Sequence, residues 1–197
     1  MDVVKMPNFK IFNDKEKPIY AEITNGTNTL WIEDSAAVTI EFAHANIHEG
    51  VSYSVSKLFQ NLGAGSGYAN LRIYTGSTKE THMVMEVTAD GKSYISLYSG
   101  TTYSASGTLV TVYNLNRNSS NTTDSKVLFT PTISDSGTLL SQTLLPGGTG
   151  SKTVGGQSLT RAERILKTSS DYLVRVQNVS DVAGDVAINF TYYELSV

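Results

Sequence analysis

The sequence predicts an all-β protein, an antiparallel β-sandwich or jelly roll with an extended N-terminal arm. Short runs of Val, Ile, Leu and Tyr recur from Ile19 to Tyr193, and each run ends in Gly, Ser, Thr, Asn or Asp. Short strands separated by tight turns produce this pattern in sandwiches and jelly rolls. The pairs Asn25-Gly26 and Asp90-Gly91 also predict hairpins, because such dipeptides tolerate the positive φ angles of a type I′ turn.

The composition indicates one folded domain of ordinary size behind the arm. The chain has 197 residues, of which 40% are hydrophobic and 17% charged. A chain of this length buries a normal core without disulfides or a structural metal. We expect residues 1–18 to form the arm and residues 19–197 to form a single β-sandwich domain.

Charge and cysteine content exclude several classes of partner and chemistry. The net charge is −3, and the 15 Lys and Arg residues are scattered, which argues against nucleic acid or an anionic membrane as partner. The chain has no cysteine, and no stretch reaches the roughly 18 apolar residues of a membrane-spanning helix. The first residues lack the apolar segment of a secretory signal. We therefore expect folding in a cytoplasm and a protein or a sugar as partner.

The arm contains the residues predicted to bind that partner. Residues 1–18 mix charged and isolated hydrophobic side chains with two prolines and show no amphipathic period. Such a segment can become ordered on a partner, for example by adding a strand to an exposed sheet edge. The candidate anchors are Val4, Phe9, Ile11 and Phe12, and the alternative is a frayed terminus.

Apart from residues 159–166, which are ambiguous, eleven segments of the chain are predicted to be strands. They are residues 19–24, 27–32, 37–42, 51–59, 68–74, 83–87, 94–98, 127–133, 138–145, 172–176 and 185–193. The last two are expected to form a closing hairpin. Residues 99–124 are predicted to be a long surface excursion with an apolar island at 109–113, either functional or a tolerated insertion. Residues 159–166 fit a strand better than the alternative helix, which Thr160 and Glu163 would cap.

The histidines form no recognisable metal-binding motif. His44, His48 and His82 lack the spacing of a zinc protease. The first two would share the face of a helix, but the surrounding sequence does not predict a helix. We expect hydrogen-bonded structural histidines in loops, and no metal or other cofactor to be bound.

Further patterns of catalysis or ligand binding are weak. Glycosidases need two facing carboxylates, and Glu80, Glu86 and Asp90 are close only in sequence. Residues 63–67 lack the lysine and the spacing of a phosphate-binding loop and are predicted to be a flexible hairpin loop. The 11 tyrosines could stack on sugars, but tyrosine is also an ordinary strand residue. We therefore expect that the protein is not an enzyme.

Six segments stand out as a set between about residues 45 and 194. They are residues 48–59, 79–83, 112–117, 145–148, 163–166 and 172–178. Together they resemble virion structural proteins of tailed bacteriophages, a group found among head proteins that serve as capsid decoration or cement proteins. None of these segments is catalytic.

The resemblance implies a β-sandwich subunit that forms a homotrimer on the outer surface of the capsid, where major capsid protein subunits meet. The protein would then be located on the virion after assembly in the host cytoplasm. The alternative is a head-fibre or tail-tip module that binds a receptor or a host-surface glycan through tyrosine-bearing loops. The resemblance implies no individual binding residue.

Overall fold

A computed structural model describes residues 42–146, 155–158 and 163–196. The chain divides into two compact units, Met1–His44 and Ala45–Val197, and nearly all the described residues belong to the second. The predicted arm, its boundary at residue 18 and the hairpin around Asn25-Gly26 lie outside the described residues. So does the predicted strand 37–42, except for Phe42, which begins a helix.

The described residues form an all-β sandwich with one short helix, which confirms the predicted fold class. The helix, α1, is Phe42–His48. The strands that follow among the described residues are β1 Ser52–Leu62, β2 Tyr68–Tyr74, β3 Lys79–Ala89, β4 Ser93–Ser99, β5 Thr102–Ala105, β6 Thr108–Leu109, β7 Tyr113–Asn114, β8 Lys126–Phe129, β9 Thr132–Asp135, β10 Thr138–Leu145, β11 Gly155–Ser158, β12 Arg164–Leu166, β13 Asp171–Asn178 and β14 Gly184–Ser196.

Two antiparallel sheets form the layers of the sandwich. The first sheet has the order β11-β3-β14-β1-β7, and β12 also pairs with β3. The second sheet has the order β10-β4-β13-β2-β8-β6. A separate two-stranded sheet pairs β5 with β9.

Consecutive long strands cross between the sheets instead of pairing as hairpins. The strands of each pair β1 and β2, β3 and β4, and β13 and β14 lie in different sheets. The hairpins predicted at Asp90-Gly91, at 63–67 and between 172 and 193 are therefore wrong. Each of these strands has an apolar face, and crossing lets the faces of a pair pack against each other across the core.

The turn at Asp90-Gly91 shows the local reason. Gly91 does not adopt the positive φ that a type I′ turn requires. Instead, Asp90 N donates to Asp185 O and Asp185 N donates to the Asp90 carboxylate, both at 3.0 Å. The crossing is therefore bound to the start of β14, beside which it lies.

The core lies between the two sheets and follows the alternation of side chains along each strand. In β14, Val186, Ile188, Phe190 and Tyr192 face the core and are at most 2% exposed. Full burial of an aliphatic or aromatic side chain contributes about 1.5–3 kcal/mol. The loop 99–124, predicted to be a surface excursion, also contributes, because Val110 and Val112 pack against the core.

The helix α1 corrects the sequence analysis, which predicted no helix around the first two histidines. It ends in a Schellman motif: Val51 N donates to Asn46 O at 3.1 Å and Gly50 N donates to Ile47 O at 3.0 Å. Gly50 adopts the left-handed conformation that this motif requires, with φ +70°. Gly50, two residues after His48, was the sequence signal for this helix end.

Two further strand predictions are resolved by the structure. The predicted strand 127–133 is split into β8 and β9, because Pro131 has no N–H for a ladder and Thr130 adopts a positive φ of 50°. The segment 159–166 contains a strand, β12, in its described part, while residues 159–162 lie outside the described residues. Across all the residues described, no helix has the length and apolar character needed to cross a membrane.

Candidate functional site

The predicted partner-binding residues Val4, Phe9, Ile11 and Phe12 lie outside the described residues, so their role stays a prediction. Two kinds of feature stand out in the described residues. The first is a pair of polar clusters, and the second is a pair of exposed surfaces.

The three histidines lie on two regular elements, so the prediction that they lie in loops is wrong. His44 and His48 are one turn apart on α1, whereas His82 lies on β3. Within the described ranges, no three His, Cys, Asp or Glu side chains are grouped so that they could hold a metal ion. Zinc sites in proteins use three or four such ligands.

The first polar cluster contains His82, Glu163 and Tyr193. The Glu163 carboxylate accepts a hydrogen bond from the Tyr193 hydroxyl and lies 2.7 Å from His82 Nδ1, and the rings of His82 and Tyr193 stack at 4.5 Å. The hydrogen bonds from Tyr193 and then His82 hold the pKa of the Glu163 carboxyl below its usual range. Burial and the hydrogen bond to Glu163 raise the pKa of Tyr193.

In this cluster His82 is oriented by a carboxylate, as a general base is. However, no nucleophilic side chain is hydrogen-bonded to His82 among the described residues. Glu163 can orient His82 as a carboxylate orients a catalytic histidine, and His82 Nε2 is buried with no hydrogen-bond partner among the described atoms. None of the described hydrogen bonds joins His82 to a serine or threonine hydroxyl. The contacts fix the start of β12 to β3 and β14. Glu163, considered in the sequence as a helix cap, is thus an anchor for an edge strand.

The second polar cluster surrounds Glu194, which is 1% exposed. Its carboxylate accepts hydrogen bonds from Asp124 N at 2.8 Å, Ser125 N at 2.9 Å and the Thr123 hydroxyl at 2.9 Å, and Lys79 Nζ lies 3.8 Å away. A buried charge is tolerated when it is hydrogen-bonded and paired in this way. Sequence reasoning missed Glu194 because an acidic residue in a strand ordinarily faces water.

The carboxylates considered for glycosidase chemistry are not paired with one another. Glu80 and Glu86 lie six residues apart on β3, which corresponds to about 20 Å along a strand. Paired catalytic carboxylates lie about 5–10 Å apart. Asp90 accepts its hydrogen bond from the backbone of Asp185 beyond the end of β3.

A small cavity lies between the sheets beside β10. Its volume is about 10 Å³, and Ser141, Thr143 and Arg164 contribute to its lining. This is about the space that one water molecule needs. The exposed surfaces are therefore the better candidates for function.

The first exposed surface is the outward side of the edge strand β10. It carries exposed leucines, which we call the leucine edge: Leu139 and Leu144, with Leu140 at an irregularity in the pairing between Leu139 and Ser141, each 48% or 49% exposed. The polar residues Ser141 and Thr143 face the cavity instead. Leu145 is 2% exposed in the core, whereas the three exposed leucines depart from the usual pattern, in which a strand turns its apolar side chains inward.

The second exposed surface is on the outer face of the second sheet. Strand pairing aligns Tyr94, Gln177 and Tyr68 in one row across β4, β13 and β2. Tyr68 is 47% and Tyr94 37% exposed. Together with Arg175 and Tyr98 in the neighbouring rows, these residues form what we call the aromatic face.

Arg175 is held at the centre of the aromatic face. Its guanidinium lies over the rings of Tyr68 and Tyr98, at 5.2 Å and 5.6 Å from their centroids. Its Nε donates to Asn70 Oδ1 at 3.1 Å and its Nη1 to Ser136 Oγ at 3.2 Å. These contacts fix the direction of a charged group on a face whose neighbouring charge, Arg72 in the row of Tyr98, is paired with Asp171.

No family model, no curated protein and no solved structure matches this chain. The two exposed surfaces and the six sequence segments between about residues 45 and 194 are therefore the features that bear on its function.

Proposed function

We propose that the protein is a virion structural protein, a capsid decoration or cement protein that binds the outer surface of a tailed-bacteriophage head and stabilises its lattice. The observation that carries this proposal is the leucine edge. Its three leucines are about half exposed on a strand, Thr138–Leu145, that contains no charged residue. An uncharged apolar sheet edge is a surface that a protein partner covers.

The strand order adds a second argument. We infer that the fold is a jelly roll, because β11-β3-β14-β1 and β10-β4-β13-β2 form two facing four-stranded layers joined by crossings. Viral capsid domains and lectins use this architecture. The shared architecture supports the proposal by analogy of fold.

In the proposed mechanism, the leucine edge joins three copies into a homotrimer and the N-terminal arm contacts the major capsid protein. Apolar patches with few charges are typical of interfaces between identical subunits. Each trimer needs only a modest affinity for the capsid. Its several contacts act together, so attachment gains strength through avidity.

Sedimentation of the purified full chain tests the trimer. We expect the wild type to sediment as a trimer at micromolar concentration and the double variant Leu139→Ser, Leu144→Ser to sediment as a monomer, because the patch loses its apolar surface. Leu109→Ser is the matched control, since Leu109 is 62% exposed on β6, away from this edge. A monomeric wild type would overturn this assignment.

A count of copies on the virion by cryo-EM separates decoration from the alternative. Hundreds of copies in threefold clusters are expected of a decoration protein. A handful of copies would instead indicate a head-fibre or tail-tip module that binds a receptor.

A further inference from the structure

We propose that the aromatic face binds a saccharide that carries a carboxylate, such as a sialylated or uronic-acid glycan. The aromatic face adjoins the leucine edge, because Leu144 pairs with Tyr94 and Leu139 pairs with Tyr98. Saccharide binding is nevertheless measured directly, so its test does not depend on the proposed trimer or on attachment to a capsid. Three features of the face support this inference: the charge of Arg175, the exposed tyrosine rings and the polar side chains beside them.

The positive charge of Arg175 has no acidic partner among the described residues. Arg72 on the adjacent strand forms an ion pair with Asp171 at 2.7 Å, but in the described residues Arg175 has only the neutral partners Asn70 and Ser136. These bonds use two of the five N–H donors of a guanidinium. The remaining donors suit a carboxylate, which a guanidinium binds in a bidentate geometry.

The exposed rings supply the second element of a sugar site. Tyr68 and Tyr94 lie on either side of β13, which places them two strand spacings, or about 10 Å, apart. Each ring offers an apolar surface with a hydroxyl at its tip. A pyranose ring has a similar character, because it presents C–H groups on its faces and hydroxyls around its edge.

The amide of Gln177, between the two rings, favours a sugar over a protein partner. The adjacent row is also polar: Gln142 Nε2 donates to the buried Ser96 Oγ at 3.1 Å, and Asn70 Oδ1 accepts from Arg175. Amide groups both donate and accept hydrogen bonds, as sugar hydroxyls require. The cores of protein interfaces are instead largely apolar.

Isothermal titration of the full chain with 3′-sialyllactose and with trigalacturonic acid tests the proposal, and neutral lactose is the matched ligand. We expect at least one acidic saccharide to bind and lactose to bind at least tenfold more weakly, a difference of about 1.4 kcal/mol. Arg175→Gln and Tyr68→Ala should each weaken binding at least tenfold. Gln177→Ala is a further variant that leaves the contacts of Arg175 intact and should also weaken binding.

Tyr113→Ala is the matched control variant. Tyr113 is 53% exposed and also lies under an arginine, Arg117, at 5.3 Å, but it belongs to β7 at the edge of the first sheet. It should bind like the wild type, and melting temperatures would verify that each variant is folded.

Three results would overturn the proposal. They are the absence of binding by both acidic saccharides, equal binding of lactose, and unchanged binding by folded Arg175→Gln. A change in the sedimentation of Arg175→Gln without saccharide binding would show that the face contacts another protein chain.

Discussion

At the scale of single residues, the interior of the sandwich shows two ways of burying a polar group. The Tyr192 hydroxyl is 2.7 Å from the Thr123 hydroxyl, which also donates to Glu194. The neighbouring Tyr53 hydroxyl is buried with no hydrogen-bond partner among the described atoms, although the two rings are 5.4 Å apart. Burial, with a smaller contribution from Glu194, raises the pKa of Tyr53 to about 12. These adjacent tyrosines should therefore respond differently to loss of the hydroxyl.

Removal of the two hydroxyls is a matched test. We expect Tyr53→Phe to leave the free energy of unfolding unchanged or to raise it by up to about 1 kcal/mol, because an unsatisfied buried hydroxyl is lost. Tyr192→Phe should lower it by about 1 kcal/mol, because a hydrogen bond is lost. Urea unfolding of both variants measures the difference. A larger loss in Tyr53→Phe than in Tyr192→Phe would show that Tyr53 has a partner.

At the scale of elements, one glycine, Gly50, determines how the helix α1 ends. Gly50 has a positive φ, and a Cβ there would lie 2.2 Å from Ser119 Oγ and 2.6 Å from Ser119 Cβ. Gly63, after β1, has no heavy atom within 4 Å of such a Cβ and does not have a positive φ. The helix end therefore depends on its glycine, whereas the crossing after β1 does not depend on this one.

Alanine at the two glycines tests this difference. Gly50→Ala should lower the free energy of unfolding by about 1–3 kcal/mol, because alanine is strained at positive φ and meets Ser119. Gly63→Ala should be neutral or stabilising by up to about 1 kcal/mol, since it restricts only the unfolded chain. Thermal or urea unfolding reports both effects. Equal destabilisation by the two variants would contradict the Schellman end of α1.

At the scale of the whole molecule, carboxyl groups with lowered pKa values and tyrosines with raised pKa values limit the pH range in which the fold is most stable. The Thr78 backbone and hydroxyl hold the pKa of Asp124 below its usual range, as Tyr193 and His82 do for Glu163. Burial raises the pKa of Tyr103 to about 12, as it does for Tyr53. The folded state thus favours ionised carboxylates and neutral phenols.

The free energy of unfolding should therefore be highest between about pH 5 and pH 10. The contribution of the two carboxylates is complete above their ordinary pKa values and is lost as the pH falls through the lowered ones. The contribution of the tyrosines is complete below about pH 10 and is lost as the pH rises through about 12. Urea unfolding from pH 3 to 11.5 measures both limbs. Glu163→Gln should flatten the acid limb and Tyr103→Phe the alkaline limb, and a constant value at both extremes would contradict this account.

The sequence by itself determined the fold class and the positions of most long strands. The predicted segments 68–74 and 138–145 coincide with β2 and β10, because alternation and turn residues act over a few neighbours in the chain. The short helix α1 was not predicted, because its seven residues show little hydrophobic periodicity. Its clearest sequence signal is the single glycine at position 50.

Only the tertiary structure decided which strands pair and which side chains meet. Asp90-Gly91 has the sequence of a hairpin turn, but burial of the apolar faces of β3 and β4 across the core determines a crossing instead. Glu194 is buried because the backbone of Asp124 and Ser125, about 70 positions earlier, donates to it. Likewise, Arg175 meets Tyr68 only through the pairing of β13 with β2. Such contacts depend on packing between distant segments, which local sequence patterns do not encode.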